Sequence, residues 1–262
     1  MSDDLALELA FALELADAAD EISMRYFSHS LEVFTKQDGS LVTRADHEIE
    51  RTLRGRIAER FPGHAVLGEE EGLIGSGSAP LWVIDPIDGT NNFAWGIPIF
   101  ATLIALQHDG ETVVGVVSAP ALRERYEAAA GQGARMNGSP ICVSNVATIG
   151  EARVVYASWR GWVEAGLDRQ WASILTRCRR SRGFGDFWGH VLVARGAAEA
   201  MAEPELQPWD VAALTVIVAE AGGRLTDFGG RPFRQRGSCL TTNGRLHDEI
   251  LQELSGGPRG LG

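Results

Sequence analysis

Apolar residues crowd the chain from Leu5 to Ile22, and Glu8, Glu14 and Asp17 break into them. This predicts one amphipathic or core helix over 3–26, closed by Tyr26-Phe27. A secretory leader would need a basic front, which is missing here. Residues 31–42 turn polar and contain a glycine, which predicts a strand edge and a mobile loop. Thr43 is placed to cap a second helix over 44–60, which ends before Phe61-Pro62-Gly63. A short apolar strand then runs into Glu69-Glu70-Glu71 and a Gly/Ser loop, and 81–85 reads as a buried strand. Two apolar runs on either side of Asp109-Gly110 predict a β-hairpin.

The pattern restarts near residue 148 with a strand at 152–158, followed by a tryptophan-rich helix to about Cys178. Helices are predicted over 189–203, with Gly196 as a breaker, and over 209–223, with a Gly-Gly C-cap. A strand and turn at 224–230 and a last helix over 244–254 follow. The glycine-rich tail from 255 is read as unstructured. Helices and strands alternate, with hairpins as well as crossovers. The fold class is therefore layered α/β (α+β), in two halves, 1–147 and 148–262. No internal repeat is visible.

Composition narrows this picture. A net charge of −11 argues against a nucleic-acid partner held by a basic surface. No apolar run reaches the roughly 18 residues of a membrane span. Cys142, Cys178 and Cys239 are scattered and odd in number, as expected of free thiols in a reducing cytoplasm.

The acidic residues in unusual places carry the chemistry. Glu69 and Glu70 end one strand, Asp85 and Asp88 end the next, and Asp46 lies in the first turns of the second helix. Asp210 opens a helix whose continuation is apolar. Any one of them could be a solvated charge or a helix cap. In Asp85-Pro86-Ile87-Asp88-Gly89-Thr90, however, Pro86 fixes the exit of a strand, and a tight turn can aim carboxylates three residues apart into one space. Two such charges raise each other's pKa unless a cation neutralises them. Hard divalent cations such as Mg²⁺ favour carboxylate and carbonyl oxygens. Gly89 permits close approach of a ligand, and the Gly89 and Thr90 amides would hold a phosphate if a helix began there.

Four segments in order, Gly68-Glu69-Glu70, 85–93, Trp209-Asp210 and Glu220-Ala221-Gly222-Gly223, together with Lys36 and the stretch 41–46, resemble the inositol-monophosphatase family of Mg²⁺-dependent, Li⁺-sensitive phosphatases. The resemblance runs from about residue 5 to 254 and implies an αβαβα sandwich. Within the family, Gly185-Asp186-Phe187 and Ala202-Glu203-Pro204 resemble the histidinol-phosphate phosphatases. Inositol-specific members usually carry a small neutral residue where Asp186 stands. Histidinol phosphate bears an amine and an imidazole, which a wall containing Asp186 and Glu203 would suit. Asp186 could equally be a helix N-cap, and the two roles are compatible.

The resemblance implies further roles. Glu69, Asp85 and the Ile87 carbonyl would hold one metal, and Asp85, Asp88 and Asp210 a second. A water on the first metal would be the nucleophile in an in-line displacement without a phosphoenzyme. Thr90 and Asp46 would orient that water and take its proton, with Glu70 nearby. Gly89 and Thr90 would hold phosphate. Arg182, Asp186, Glu203 and Asp210 would be candidates for the rest of the substrate. The loop bearing Lys36 and Asp38 would close over the site and could hold a third, weaker metal. Mn²⁺ could replace Mg²⁺. Glu71 departs from the family pattern and is read as solvated. His190 is read as packing, Arg182 is equally a solvated basic turn, and Trp159, Trp162 and Trp171 are read as core or dimer interface.

The expected protein is a cytoplasmic homodimer acting on a small phosphorylated substrate, with neither nucleic acid nor membrane as partner. Alternatives are an inositol-1-monophosphatase or broad polyol phosphatase, and a binding partner of the transcription machinery with incidental phosphatase activity.

Overall fold

The computed structural model describes residues 2–27, 33–35, 41–76 and 79–256. α1 (Ser2–Phe27) leads to the antiparallel pair β1 (Val33–Thr35) and β2 (Leu41–Thr43), then α2 (Arg44–Arg60). Thr43 caps α2: its hydroxyl accepts the Ala45 N–H at 3.1 Å, and Asp46 completes a capping box. Lys36, Asp38 and the end of the tail lie outside the described residues.

The large sheet is built from β3 (Ala65–Gly68), β4 (Gly72–Ile74), β5 (Leu81–Asp88), β6 (Ala101–His108), β7 (Glu111–Ala119), β8 (Glu124–Ala129), β9 (Ala134–Met136) and β10 (Ser139–Pro140). Its strand order is β10-β9-β8-β7-β6-β5-β3-β4, antiparallel except for β3 beside β5. The short α3 (Thr90–Ala94) follows β5. The hairpin between β6 and β7 turns at Asp109 and Gly110, both at positive φ as expected from the sequence.

The second half contributes β11 (Arg153–Tyr156), α4 (Trp159–Glu164), α5 (Asp168–Arg177), β12 (Arg180–Gly183), α6 (Asp186–Ala194), β13 (Ala200–Leu206), α7 (Pro208–Glu220), β14 (Arg224–Thr226), β15 (Gly237–Thr242) and α8 (His247–Ser255). Its sheet runs β12-β11-β13-β15-β14.

Burial alternates along β5. Trp82 and Ile84 join Phe11, Leu15, Ile49 and Leu53 of α1 and α2, whereas Val83 joins Phe187, Val191, Leu214 and Ile217 of α6 and α7. The far face of the small sheet packs on Trp162, Trp171 and Ile250 of α4, α5 and α8. The layers are thus helices, large sheet, α6 and α7, small sheet, helices: an αβαβα sandwich. We propose the division into halves 1–147 and 148–262 on the change of sheet between β10 and β11, with α7 returning to the large sheet.

Several boundaries differ from the sequence expectation. The helix expected over 189–203 ends at Ala194, because Gly196 takes φ +72°, and 200–206 is instead the middle strand of the small sheet. The tryptophan-rich helix is two helices separated at Gly166, which takes φ +69°; Trp162 and Trp171 stack with centroids 4.3 Å apart, while Trp159 is exposed. The basic turn at 179–182 is an edge strand parallel to β11. The last helix begins at His247, after Asn243 has used its side-chain carbonyl on the Arg245 and Leu246 amides.

Candidate active site

The strand expected to end at Asp85 continues to Asp88 through a β-bulge. Asp85 pairs with Leu103 and Asp88 with Ala101, so three steps on β5 match two on β6. In an unbroken strand, residues three apart face opposite sides; the extra residue resets the alternation and aims both carboxylates the same way. The Thr102 hydroxyl fixes the bulge by donating to the Pro86 carbonyl at 2.8 Å. Asp85, Asp88 and Asp210 each offer an oxygen within 4.8 Å of the others.

Helix termini hold the remaining acids. Asp46 and Asp210 occupy the same capping position of α2 and α7. Asp46 Oδ2 accepts the Thr43 N–H at 2.8 Å and the Thr43 hydroxyl at 2.6 Å, and its buried Oδ1 has no partner among the described residues. Asp210 Oδ2 accepts the Gln207 N–H at 2.8 Å. One oxygen anchors each side chain, so cap and site role coexist. Asp88 in turn receives the N–H of Phe187, the second residue of α6, at 2.5 Å. The buried Asp85 Oδ1 has no hydrogen-bond partner among the described residues.

The electrostatics follow from this crowding. Burial, then Glu69, Asp88 and Asp210, pushes Asp85 well above the carboxylate range; burial, then Asp186 and Asp210, does the same to Asp88. Burial raises Asp46 to about 7 against the Thr43 hydrogen bonds, with Glu70 and Glu69 adding to the rise. Burial also raises Asp210 to about 7, with Glu69, Glu203 and Asp186 contributing. Glu69, Glu70, Asp46, Asp85, Asp88, Asp210, Asp186 and Glu203 therefore occupy one electrostatic site. A dication is what such a donor set lacks.

At the mouth of this site Gly89 takes φ +83° and caps α3, whose first residue is Thr90. The Thr90 hydroxyl donates to the Ile87 carbonyl at 2.9 Å, which keeps a second lone pair. Asn92, which sequence reasoning passed over although it lies inside the quoted motif, donates to the Ile99 carbonyl at 3.0 Å and to Asp186 at 3.3 Å.

Asp186 itself takes φ +53°, a conformation costly for a residue with a Cβ. It does not act as the N-cap, the alternative reading of this residue. Gly185 holds that position without a side-chain bond, and the Phe187 amide goes to Asp88 instead. Burial raises Asp186 to about 7, with Glu203 adding and His190 opposing. Burial likewise raises the buried Glu203 to about 8 against the Asp186 amide. Glu203 Oε1 is buried without a hydrogen-bond partner among the described residues, and Glu203 borders a cavity of about 470 Å³ with Ser158, Glu164, Glu205 and Arg236.

His190 packs, as expected, fully buried with Nδ1 at 2.7 Å from the Thr241 hydroxyl. Its Nε2 lies 3.5 Å from Glu203, but burial lowers the imidazole to about 4, so this contact is not an ion pair at neutral pH. Arg182 is not brought to the acids: it is exposed on the edge strand β12, against the Ser181 carbonyl at 2.8 Å. Glu71 is exposed and pairs with Arg51 at 3.2 Å.

The inositol monophosphatase family matches residues 4–258. The histidinol-phosphatase of Mycobacterium tuberculosis is 43% identical over 256 residues, covering 95% of this chain and 98% of its own. That of Streptomyces coelicolor is 43% identical over 258 residues, covering 95% and 97%. The solved Thermotoga maritima IMPase superposes with a TM-score of 0.86 at 33% identity, covering 94% of this chain and 96% of its own. The chain belongs to the inositol monophosphatase family and is a metal-dependent phosphoric monoester hydrolase acting on small phosphorylated substrates.

Proposed function

We propose that the enzyme hydrolyses L-histidinol phosphate to L-histidinol and phosphate, a step of histidine synthesis. The observation that carries this reading is the pair Asp186 and Glu203, two acids beside the metal set whose described basic neighbour, His190, is held neutral near pH 7 by burial. The substrate's amine and imidazole supply that cation. Its arrival would draw both carboxyls back to their ionised forms. Two relatives of 43% identity bear the same activity in their names, which supports the reading.

The donor set fits two Mg²⁺ ions; the family resemblance adds Mn²⁺ as substitute and a third, weaker ion at Lys36 and Asp38, which lie outside the described residues. The three clustered carboxylates and the unpartnered Asp85 Oδ1 are the observations behind this. Glu69, Asp85 and the Ile87 carbonyl would hold the first ion, and Asp85, Asp88 and Asp210 the second. Bound, these ions would neutralise phosphate charge and acidify a water. The chain does the rest. The Gly89 and Thr90 amides orient the phosphate for in-line attack by water. Asp46, at about 7, is poised to accept the water's proton near neutral pH, with Glu70 beside it. Thr90, held by Ile87, fixes the water's direction. Asp186 and Glu203 hold the leaving alcohol by its cationic groups.

A homodimer in the cytoplasm completes the proposal. Three free cysteines suit a reducing compartment, and exposed Trp159 and Val163 on α4 offer apolar surface for a second subunit.

Phosphate release from L-histidinol phosphate, inositol-1-phosphate and glycerol-2-phosphate, with Mg²⁺ and with EDTA, tests the reading. Histidinol phosphate should win on kcat/KM by more than about tenfold, roughly 1.4 kcal/mol of transition-state preference. Asp186→Asn should lose that preference and keep turnover of glycerol-2-phosphate. Equal rates on all three would replace the proposal with a broad polyol phosphatase.

A further inference from the structure

Four residues beyond Asp46, one turn along the same face of α2, lies Glu50, fully buried and outside the donor set assigned above. Its carboxylate reaches across to the turn between β3 and β4. Oε2 accepts the Glu70 N–H at 2.8 Å and Oε1 accepts the Glu71 N–H at 3.0 Å. Arg54, a further turn along, bonds Glu50 Oε1 through Nε at 2.8 Å. The same guanidinium donates to the Val66 carbonyl at 3.2 Å and the Gly72 carbonyl at 2.5 Å. Glu50 thus holds the amides of the turn, and Arg54 holds the strands that enter and leave it. The close approach depends on Gly68, where any Cβ would overlap the Glu50 carboxylate.

A buried ion pair contributes little net stability, since desolvation offsets its attraction. A fourth carboxylate next to Glu69, Glu70 and Glu71 would by itself add repulsion. Its bonds go to backbone amides, however, and Arg54 balances its charge. The arrangement fixes the backbone of the turn that carries Glu69 and Glu70. We propose that Glu50, set by Arg54, is a positioning residue that holds Glu69 and Glu70 in the geometry needed to bind the first metal and serve the attacking water, without touching either.

This inference rests on the assignment of Glu69 to a metal, and the experiment separates the two. Glu50→Gln keeps the shape of the side chain but sets an amide group against one of the backbone donors. Three quantities are measured: the Mg²⁺ dissociation constant of the metal-free protein by calorimetry, hydrogen exchange of the 70 and 71 amides without metal, and KM at saturating Mg²⁺. The dissociation constant should rise by about tenfold or more, as for loss of a group that orients a metal ligand. Exchange at 70 and 71 should speed up by a similar factor, and KM should stay within about twofold. Arg51→Ala, which removes only the exposed partner of Glu71, should change none of these.

Unchanged Mg²⁺ binding with 70 and 71 still protected would overturn the proposal. So would a lowered Tm with Mg²⁺ affinity intact, the signature of a merely structural pair. If Glu50→Gln does not fold, Arg54→Gln decides: weaker Mg²⁺ binding and faster exchange support the clamp, and parental values refute it. If Glu69→Gln also binds Mg²⁺ like the parent, the metal assignment has failed, and exchange alone judges the clamp.

Discussion

Asp85 is buried among acids, with one oxygen that no described residue bonds. Without metal this is a repulsive arrangement, and its cost defines a test. Asp85→Asn replaces a buried acid whose ionised form is disfavoured with a neutral amide of the same shape, so the metal-free variant should melt no lower than the parent. It also removes the ligand assigned to both ions, so the rise in Tm on adding Mg²⁺ should vanish and activity should fall by orders of magnitude. Normal turnover at saturating Mg²⁺ would dismantle the assignment. Asp186 poses a separate question of backbone strain. At φ +53°, asparagine is tolerated and alanine is not. Asp186→Ala should therefore be about 1 kcal/mol less stable to urea than Asp186→Asn. Substrate selectivity should be judged on the asparagine variant, where strain does not confuse the result.

α6 shows how a local element sets the geometry of the site. Its first residue is Asp186, the N–H of its second, Phe187, goes to Asp88, and Gly189 packs so tightly on Met201 of β13 that a Cβ would overlap that side chain. Gly189→Ala should lift α6 off the small sheet, costing about 1–3 kcal/mol by overpacking. Because the displaced end carries Asp186, KM for histidinol phosphate should rise more than kcat falls. Equal losses in both, or none, would disconnect the helix from substrate binding. What the sequence made legible at this scale was local. Thr43 announced α2, and Asp109-Gly110 announced its hairpin. The acidic motif announced a shared site but not the bulge that creates it, because a bulge is defined by the partner strand. Residues 200–203 read as the end of a helix and instead open a strand because they lie between β11 and β15, a neighbourhood fixed by residues far along the chain. The Phe187 amide on Asp88 spans 99 positions and leaves no local trace. Glu50 did leave one, four residues after Asp46, yet its meaning depends on where the 70 and 71 amides end up.

At the scale of the whole molecule, the layers bring α2, the end of β5, α6, β13 and the start of α7 to one acidic site, and its charge is coupled to folding. Asp46, Asp186 and Asp210 titrate near 7 and Glu203 near 8 in the folded chain, against about 4 in an unfolded one. Between those values the folded state binds more protons. The stability these groups lend is full below about pH 4 and is lost as pH rises through 7 to 8. The buried imidazoles of His190 and His247, both lowered to about 4, act in the opposite sense. They lend stability that is complete above about 6.5 and lost on acidification. The two trends oppose each other below about 6.5, which leaves 6.5 to 8 as the window where the carboxylates act alone. In EDTA, Tm should fall across that window by several degrees. Mg²⁺ should reverse the fall, because it stabilises the ionised set, and its stabilising effect should grow steadily from pH 6.5 to 8. Scanning calorimetry at pH 6.5, 7, 7.5 and 8, with and without Mg²⁺, reads both quantities. A Tm in EDTA that holds level or climbs over this range would mean that the acids are already compensated within the protein, and the case for metal as their missing partner would fall with it.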